Sequence, residues 1–287
     1  MILATTPKFR FVVVLLLFIL SNSFSQEKTY DSINGAEIHV YKTVDEFDLK
    51  INVFKPKETK KGKKYPAVVF FFGGGWNGGN VHQFEQHCKL LASKGMIAMA
   101  ANYRVKSRNN STPFDAVEDA KSAIRWIREN AKELGVNKNK IVAAGGSAGG
   151  HLAASTAIIP GFEGDENRNI SSKPNALVLF NPVINTMKEG YGSERLGDKA
   201  ETISPAHHVV PKLPPTLIFH GTNDKTVPFS NVTDFQIKME NARNICYLVP
   251  FDGQGHGFFN FGRNDNKFYE LTTEKMISFL MEMGYIK

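Results

Sequence analysis

Ile141-Val142-Ala143-Ala144-Gly145-Gly146-Ser147-Ala148-Gly149-Gly150-His151-Leu152-Ala153-Ala154 is the stretch whose reading decides the fold. It opens as a short apolar run of strand type and continues, from Ala148 to Ala157, in good helix formers. Gly145-x-Ser147-x-Gly149 lies at the changeover. A serine placed there sits on a sharp strand-to-helix turn that lifts its hydroxyl above a sheet. The glycines are required because such a turn has no room for side chains beside the serine, and the helix must start close against the strand. A GxSxG sequence alone is also compatible with a glycine-rich turn carrying an incidental serine, so the flanking chain has to decide.

Working outward, strand and helix patterns alternate. Ala36–Val44 and Phe47–Phe54 alternate apolar and polar residues and predict an antiparallel pair at a sheet edge. Ala67–Phe72 is continuously apolar, the mark of a strand covered on both faces. Phe84–Ser93 reads as helix and Met96–Ala101 as strand. Pro113–Leu134 reads as one long helix, with Thr112 as N-cap, Pro113 at the first helical position and Gly135 as its stop. Ile141–Ala144, Ala176–Asn181, Thr216–His220 and Ile245–Pro250 read as further strands. Phe229–Asn241 and Lys267–Met283 read as helices. Alternation of this kind implies right-handed parallel crossovers and a mostly parallel twisted sheet of about eight strands, covered by helices on both faces. Ligands of such sheets bind beyond the carboxyl ends of the strands. No linker divides the chain, so residues 26–287 are expected to form one catalytic domain.

A serine hydroxyl becomes a useful nucleophile only beside a base, and the base needs a carboxylate to set its tautomer. On a sheet of this kind the partners follow in the order serine, acid, histidine, each in a loop after a strand. His256, in Gly253-Gln254-Gly255-His256-Gly257-Phe258 after the last strand, meets that requirement. His151 is too near Ser147 in the chain and reads as a packed helical histidine. His220 ends a strand and should brace the following loop, and His207 and His208 fall in an irregular stretch. Asp224, just beyond the preceding strand, is the expected carboxylate, with Asp252 second and Asp234 on a solvated helix face. An oxyanion needs N–H donors, one from Ala148 after the nucleophile and others from a glycine-rich loop after an earlier strand. Phe72-Gly73-Gly74-Gly75-Trp76-Asn77-Gly78-Gly79 supplies such a loop, with five glycines beside a tryptophan. Three features in the right order and context predict serine-hydrolase chemistry.

These motifs resemble those of the α/β-hydrolase superfamily, in particular the small esterases related to hormone-sensitive lipase and the acetyl xylan and feruloyl esterases. Phe72–Trp76 is similar to the family's HGGGW loop, Gly145–His151 to GxSAGGH, and His220–Pro228 to HGxxDxxVP. Gly255–Phe258 is similar to the histidine loop. The resemblance runs over essentially the whole chain after its first residues. It implies an α/β-hydrolase fold, a Ser147–His256–Asp224 triad, and Gly74 and Gly75 as the loop's oxyanion donors. Phe72 stands where the family usually has histidine, and this leaves Gly75 with Trp76 open as the alternative donor pair.

Composition sets the remaining bounds. The 287 residues carry a formal charge of +7, with 42% hydrophobic and 22% charged residues. The basic residues are scattered except in Lys55–Lys64, which lacks interleaved aromatics and reads as a solvated loop, so no nucleic-acid partner is expected. Lys8 and Arg10 precede the apolar run Phe11–Leu20, and Ser23 and Ser25 stand at −3 and −1 of a cleavage site before Gln26. That pattern predicts a signal peptide over residues 1–25, export to the periplasm or beyond, and no stable membrane anchor after cleavage. No cysteine precedes Cys88, and Cys88 and Cys246 are expected at opposite edges of the sheet, beyond disulfide reach. No metal cluster or nucleotide fingerprint is visible, and no cofactor is expected. Residues 160–173 and 185–208 are too short and polar for a lipase-type lid, which predicts an open site with a small acyl pocket near Trp76. With the signal, the resemblance implies short-chain or polysaccharide ester substrates. A related peptidase would need a large N-terminal propeller, an arylformamidase would be expected in the cytosol, and a catalytically dead binding fold would usually lack a triad member.

Overall fold

The structure, a computed structural model, describes residues 29–287, so the signal segment expected over residues 1–25 lies outside the described residues. Eight strands form one sheet: β1 (Glu37–Val44), β2 (Phe47–Phe54), β3 (Tyr65–Phe71), β4 (Ile97–Ala101), β5 (Val136–Gly146), β6 (Ala176–Phe180), β7 (Thr216–Gly221) and β8 (Cys246–Phe251). Their order is β1-β2-β4-β3-β5-β6-β7-β8. β1 pairs with β2 and β2 with β4 in antiparallel fashion, and every later pairing is parallel. The buried runs of β3, β4 and β6 show why: both faces of each are covered, so no polar alternation is needed.

Helices α1 (Glu85–Ser93), α2 (Lys106–Asn109), α3 (Pro113–Glu129), α4 (Ala131–Leu134), α5 (Ala148–Ile158), α6 (Ser193–Leu196), α7 (Phe229–Asn241) and α8 (Lys267–Glu282) complete the chain. α1 and α8 share one face, where the His87 and Tyr269 rings lie 4.8 Å apart, while α3 packs on α5. α3 starts as the sequence predicts, with a capping box between Thr112 and Asp115 and Pro113 in its first turn. It does not run on to Leu134. Asn130 interrupts it because its side-chain Nδ2 donates to the Trp126 carbonyl at 2.9 Å, competing locally with helical geometry. The two cysteines are free and buried, Cys88 on α1 and Cys246 on the far edge strand β8.

The elbow explains its glycines directly. Ser147 holds φ 55° and ψ −120°, a conformation that costs free energy and persists only where the surroundings enforce it. A Cβ on Gly149 would lie 2.0 Å from the Phe71 carbonyl oxygen, and one on Gly145 would lie 2.3 Å from the Gly149 oxygen. Both obstacles are backbone, which cannot move aside. Gly149→Ala should therefore cost more than the roughly 1–3 kcal/mol usual for overpacking. Urea unfolding checks this, and an unchanged midpoint would contradict the close approach.

His87 is an unused titratable group in the core. Its ring packs among Phe70, Phe84, Phe180 and Tyr269, with neither nitrogen hydrogen-bonded. Burial holds it at about 3, below the ordinary imidazole value of about 6.5. The unfolded chain binds a proton in that window and the folded chain does not. Stability is thus full above about pH 6.5 and falls on acidification, by up to about 1.4 kcal/mol per pH unit from this residue. His151, lowered by burial to about 4, adds to the same trend. His87→Phe should flatten the dependence of unfolding free energy between pH 6.5 and 4; an unaltered slope would show the ring to be protonated in the fold.

Candidate active site

Each of five loops beyond a strand's carboxyl end brings one group to a common cleft. β5 ends in Ser147, which is half-buried. β8 leads to His256, whose Nε2 lies 2.9 Å from Ser147 Oγ. β7 leads to Asp224, whose Oδ2 lies 2.7 Å from His256 Nδ1. β3 leads to the glycine loop. The fifth group, Asn181 after β6, escaped sequence reasoning: its Nδ2 donates to Asp224 Oδ2 at 2.7 Å. The signal for it was weak, a lone Asn-Pro at a strand end. Its positive φ of 43° turns the chain there.

Asp224 is buried and surrounded by donors. Its Oδ1 accepts the N–H groups of Thr226 and Val227 at 2.8 and 2.9 Å. Burial by itself would raise its pKa, but hydrogen bonds from His220, His256 and the Val227 N–H outweigh burial and hold it well below the carboxylate range. The carboxylate is therefore ionised and accepts from His256 Nδ1, which leaves Nε2 as the acceptor facing the serine hydroxyl. His220 braces the loop as expected, with Nε2 donating to the Val227 carbonyl at 2.9 Å. It also stands 3.4 Å from Asp224 Oδ2. His151 is buried, with Nε2 at 2.6 Å from the Ile203 carbonyl. Asp252 is spent on Thr222 at the surface, and Asp234 is exposed.

The glycine loop is held without its usual histidine. The Phe72 ring stacks on Tyr103 at 4.2 Å, and the Tyr103 hydroxyl donates to the Phe72 carbonyl at 2.7 Å. The Gly74 carbonyl accepts from Asn77 and Gly78, and Arg195 Nη1 donates to the Gly75 carbonyl. Gly74 and Gly75 adopt φ values of 131° and 61°, open to glycine at little cost. The amides of Gly74, Gly75 and Ala148 donate to no protein acceptor among the described residues. Gly74 and Gly75 line a cleft of about 270 Å³ with Ser147 and His256.

One expectation is corrected here. Trp76 does not line that cleft. Its ring is 2% exposed and lies beneath Tyr191 and Arg195 and against His151, bordering a neighbouring depression of about 390 Å³. The φ of 57° at Trp76 turns its side chain into the core, so it supports the loop instead of lining an acyl pocket. Residues 160–173 stay beside α3, where Glu163 pairs with Lys121 and Arg125. Residues 185–208, by contrast, bring Tyr191 to the cleft wall.

Gln83 and Asn260 were also missed by sequence reading, since neither carries a motif. Gln83 Oε1 accepts the Gly73 N–H at 2.6 Å, its Nε2 donates to Asn260 Oδ1 at 2.9 Å, and Asn260 Nδ2 donates to the Gly257 carbonyl at 2.8 Å. This chain ties the glycine loop to the histidine loop. Gln83→Leu should lower turnover by about 10²-fold, the scale of a misplacement near 1 Å. Esterase kinetics with a short ester test it, and a change below threefold would assign the bridge no positioning role.

An elbow serine, a hydrogen-bonded imidazole and an ionised carboxylate above this strand order define the α/β-hydrolase class. Residues 51–190 match the BD-FAE family model and residues 169–283 the prolyl oligopeptidase family model. A solved structure of esterase 2 from Thermogutta terrifontis, phosphoramylated by tabun, is 52% identical, with a TM-score of 0.86, over 89% of this chain and 97% of that one. Among curated proteins, an acetylxylan esterase of Xylanibacter ruminicola is 29% identical over 67% of this chain and 41% of its own length. A probable carboxylic ester hydrolase, LipM, of Mycobacterium tuberculosis is 29% identical over 65% of this chain and 48% of its own. The chain thus spans about half the length of the curated relatives it matches. It belongs to the esterases of the α/β-hydrolase superfamily.

Proposed function

We propose that the protein is an exported serine esterase that hydrolyses short-chain carboxylic esters, removing acetyl or feruloyl groups from polysaccharides. The Ser147–His256–Asp224 row carries the reading. Ser147 Oγ attacks the ester carbonyl as His256 Nε2 takes its proton. The oxyanion is met by the amides of Gly74, Gly75 and Ala148. His256 then protonates the leaving alkoxide, and an acyl-enzyme remains. Water, activated by the same imidazole, releases the acid.

Two observations support short acyl groups: the cleft is small, and another solved structure of the Thermogutta terrifontis esterase, 51% identical, has propionate bound. The acetylxylan esterase relative supports a polysaccharide substrate, and the residue pattern before Gln26 supports export. Acetate release from acetylated xylan, set beside a p-nitrophenyl ester series, tests the whole reading. Activity should be highest with the shortest acyl chains of the series. A clear preference for long chains would overturn it, and failure of a fluorophosphonate to label Ser147 would point to a binding protein.

A further inference from the structure

We infer that Arg263 makes the cleft selective for esters whose alcohol part carries a carboxylate, such as acetylated uronic-acid residues. The inference rests on the esterase reading above and specifies its substrate class. Arg263 lines the same cleft as Ser147 and His256. It lies on the histidine side: a Cβ on Gly257, the residue after His256, would stand 3.0 Å from Asn260 Nδ2 and 3.4 Å from Arg263 Nη1. That side matters, because the imidazole that protonates the leaving oxygen must face the alcohol part of the ester. A cation beside it reads the alcohol and not the acyl group.

Arg263 is also unspent. It is exposed and forms no ion pair or side-chain hydrogen bond among the described residues. Other guanidiniums near the site are engaged: Arg195 holds the Gly75 carbonyl and lies over Trp76 and Tyr191, Arg108 lies over Tyr30, and Arg104 is paired with Asp119. Among the described residues, no carboxylate lines the cleft to neutralise Arg263; Asp224 is buried behind His256 and committed to it. A planar guanidinium matches a carboxylate with two parallel hydrogen bonds. The formal charge, +5 once Lys8 and Arg10 leave with residues 1–25 (7 − 2), favours the approach of an anionic chain over a neutral one.

The test compares two substrates differing only at C6, acetylated methyl glucuronoside and acetylated methyl glucoside, with p-nitrophenyl acetate as reference. The wild-type protein should show a KM about tenfold lower for the acidic ester, the scale of one charge-assisted contact. That preference should shrink as salt rises, vanish in Arg263→Gln and persist in part in Arg263→Lys. Because each variant is scored by the ratio of its two substrates, loss of folded protein cancels. Equal KM values in the wild type would overturn the inference, and so would a preference that survives in Arg263→Gln. If p-nitrophenyl acetate is cleaved but neither sugar ester is, the sugar-ester reading itself fails, an outcome distinct from equal rates on both.

Discussion

Ser147→Ala should lower turnover of a short p-nitrophenyl ester by about 10⁶-fold, as loss of the nucleophile does in other triads. The reason is that, among the described residues, the hydroxyl hydrogen-bonded to His256 Nε2 is Ser147 Oγ, at 2.9 Å. The fold should survive. Ser147 Oγ makes its bond to a ring that is 25% exposed on its side chain, and the backbone bonds of the elbow, from Ser147 N to Phe180 O and from Val183 N to Ser147 O, do not involve the side chain. Unfolding free energy should therefore change by about 1 kcal/mol or less. A variant that keeps its rate within tenfold of the parent would place the chemistry elsewhere.

Asp224→Asn should cost about 10⁴-fold in turnover, the loss seen when a triad carboxylate becomes an amide. The surrounding donors dictate how. Two backbone N–H groups converge on Oδ1, so the asparagine carbonyl is drawn to that position and its NH₂ to the position of Oδ2. There it donates to His256 Nδ1, forcing the ring proton onto Nε2, where it points at Ser147 and cannot accept the serine proton. The NH₂ also meets Asn181 Nδ2, a second donor. Stability should fall as well, with a defined pH dependence. The folded pKa of Asp224 lies below its unfolded value of about 3.9, so its contribution is present above about pH 4 and is lost as pH falls further. The deficit of the variant should be largest near neutrality and shrink in acid. Paired pH–denaturation series measure this, and a deficit that grew in acid would contradict an ionised, hydrogen-bonded carboxylate.

These two residues and His256 were legible before any coordinates because each is announced locally. The GxSxG elbow, the HGxxDxxVP stretch and the glycine-flanked histidine each need particular residue types at short range, and short-range spacing survives in a one-dimensional string. The strands and helices were legible for the same reason, through period and capping: Thr112 and Pro113 marked the start of α3. Asn130, which ends α3 one turn early, was not, since whether its amide turns to the Trp126 carbonyl is a choice among rotamers.

The amino-acid sequence by itself determined the parallel sheet, the order serine, aspartate, histidine and the glycine loop, because hydrophobic period and glycine placement are local constraints that every copy of this fold must satisfy. Only the tertiary structure decided the rest. It turned Trp76 into the core, set Tyr191 at the cleft wall, joined Gln83 to Asn260 across 177 residues, gave the Asp224 carboxylate a side-chain amide donor in Asn181 and left Arg263 without an ion pair among the described residues. Each of these depends on which side chains meet across distant segments, and such meetings are fixed by packing and by the satisfaction of buried donors, not by spacing along the chain.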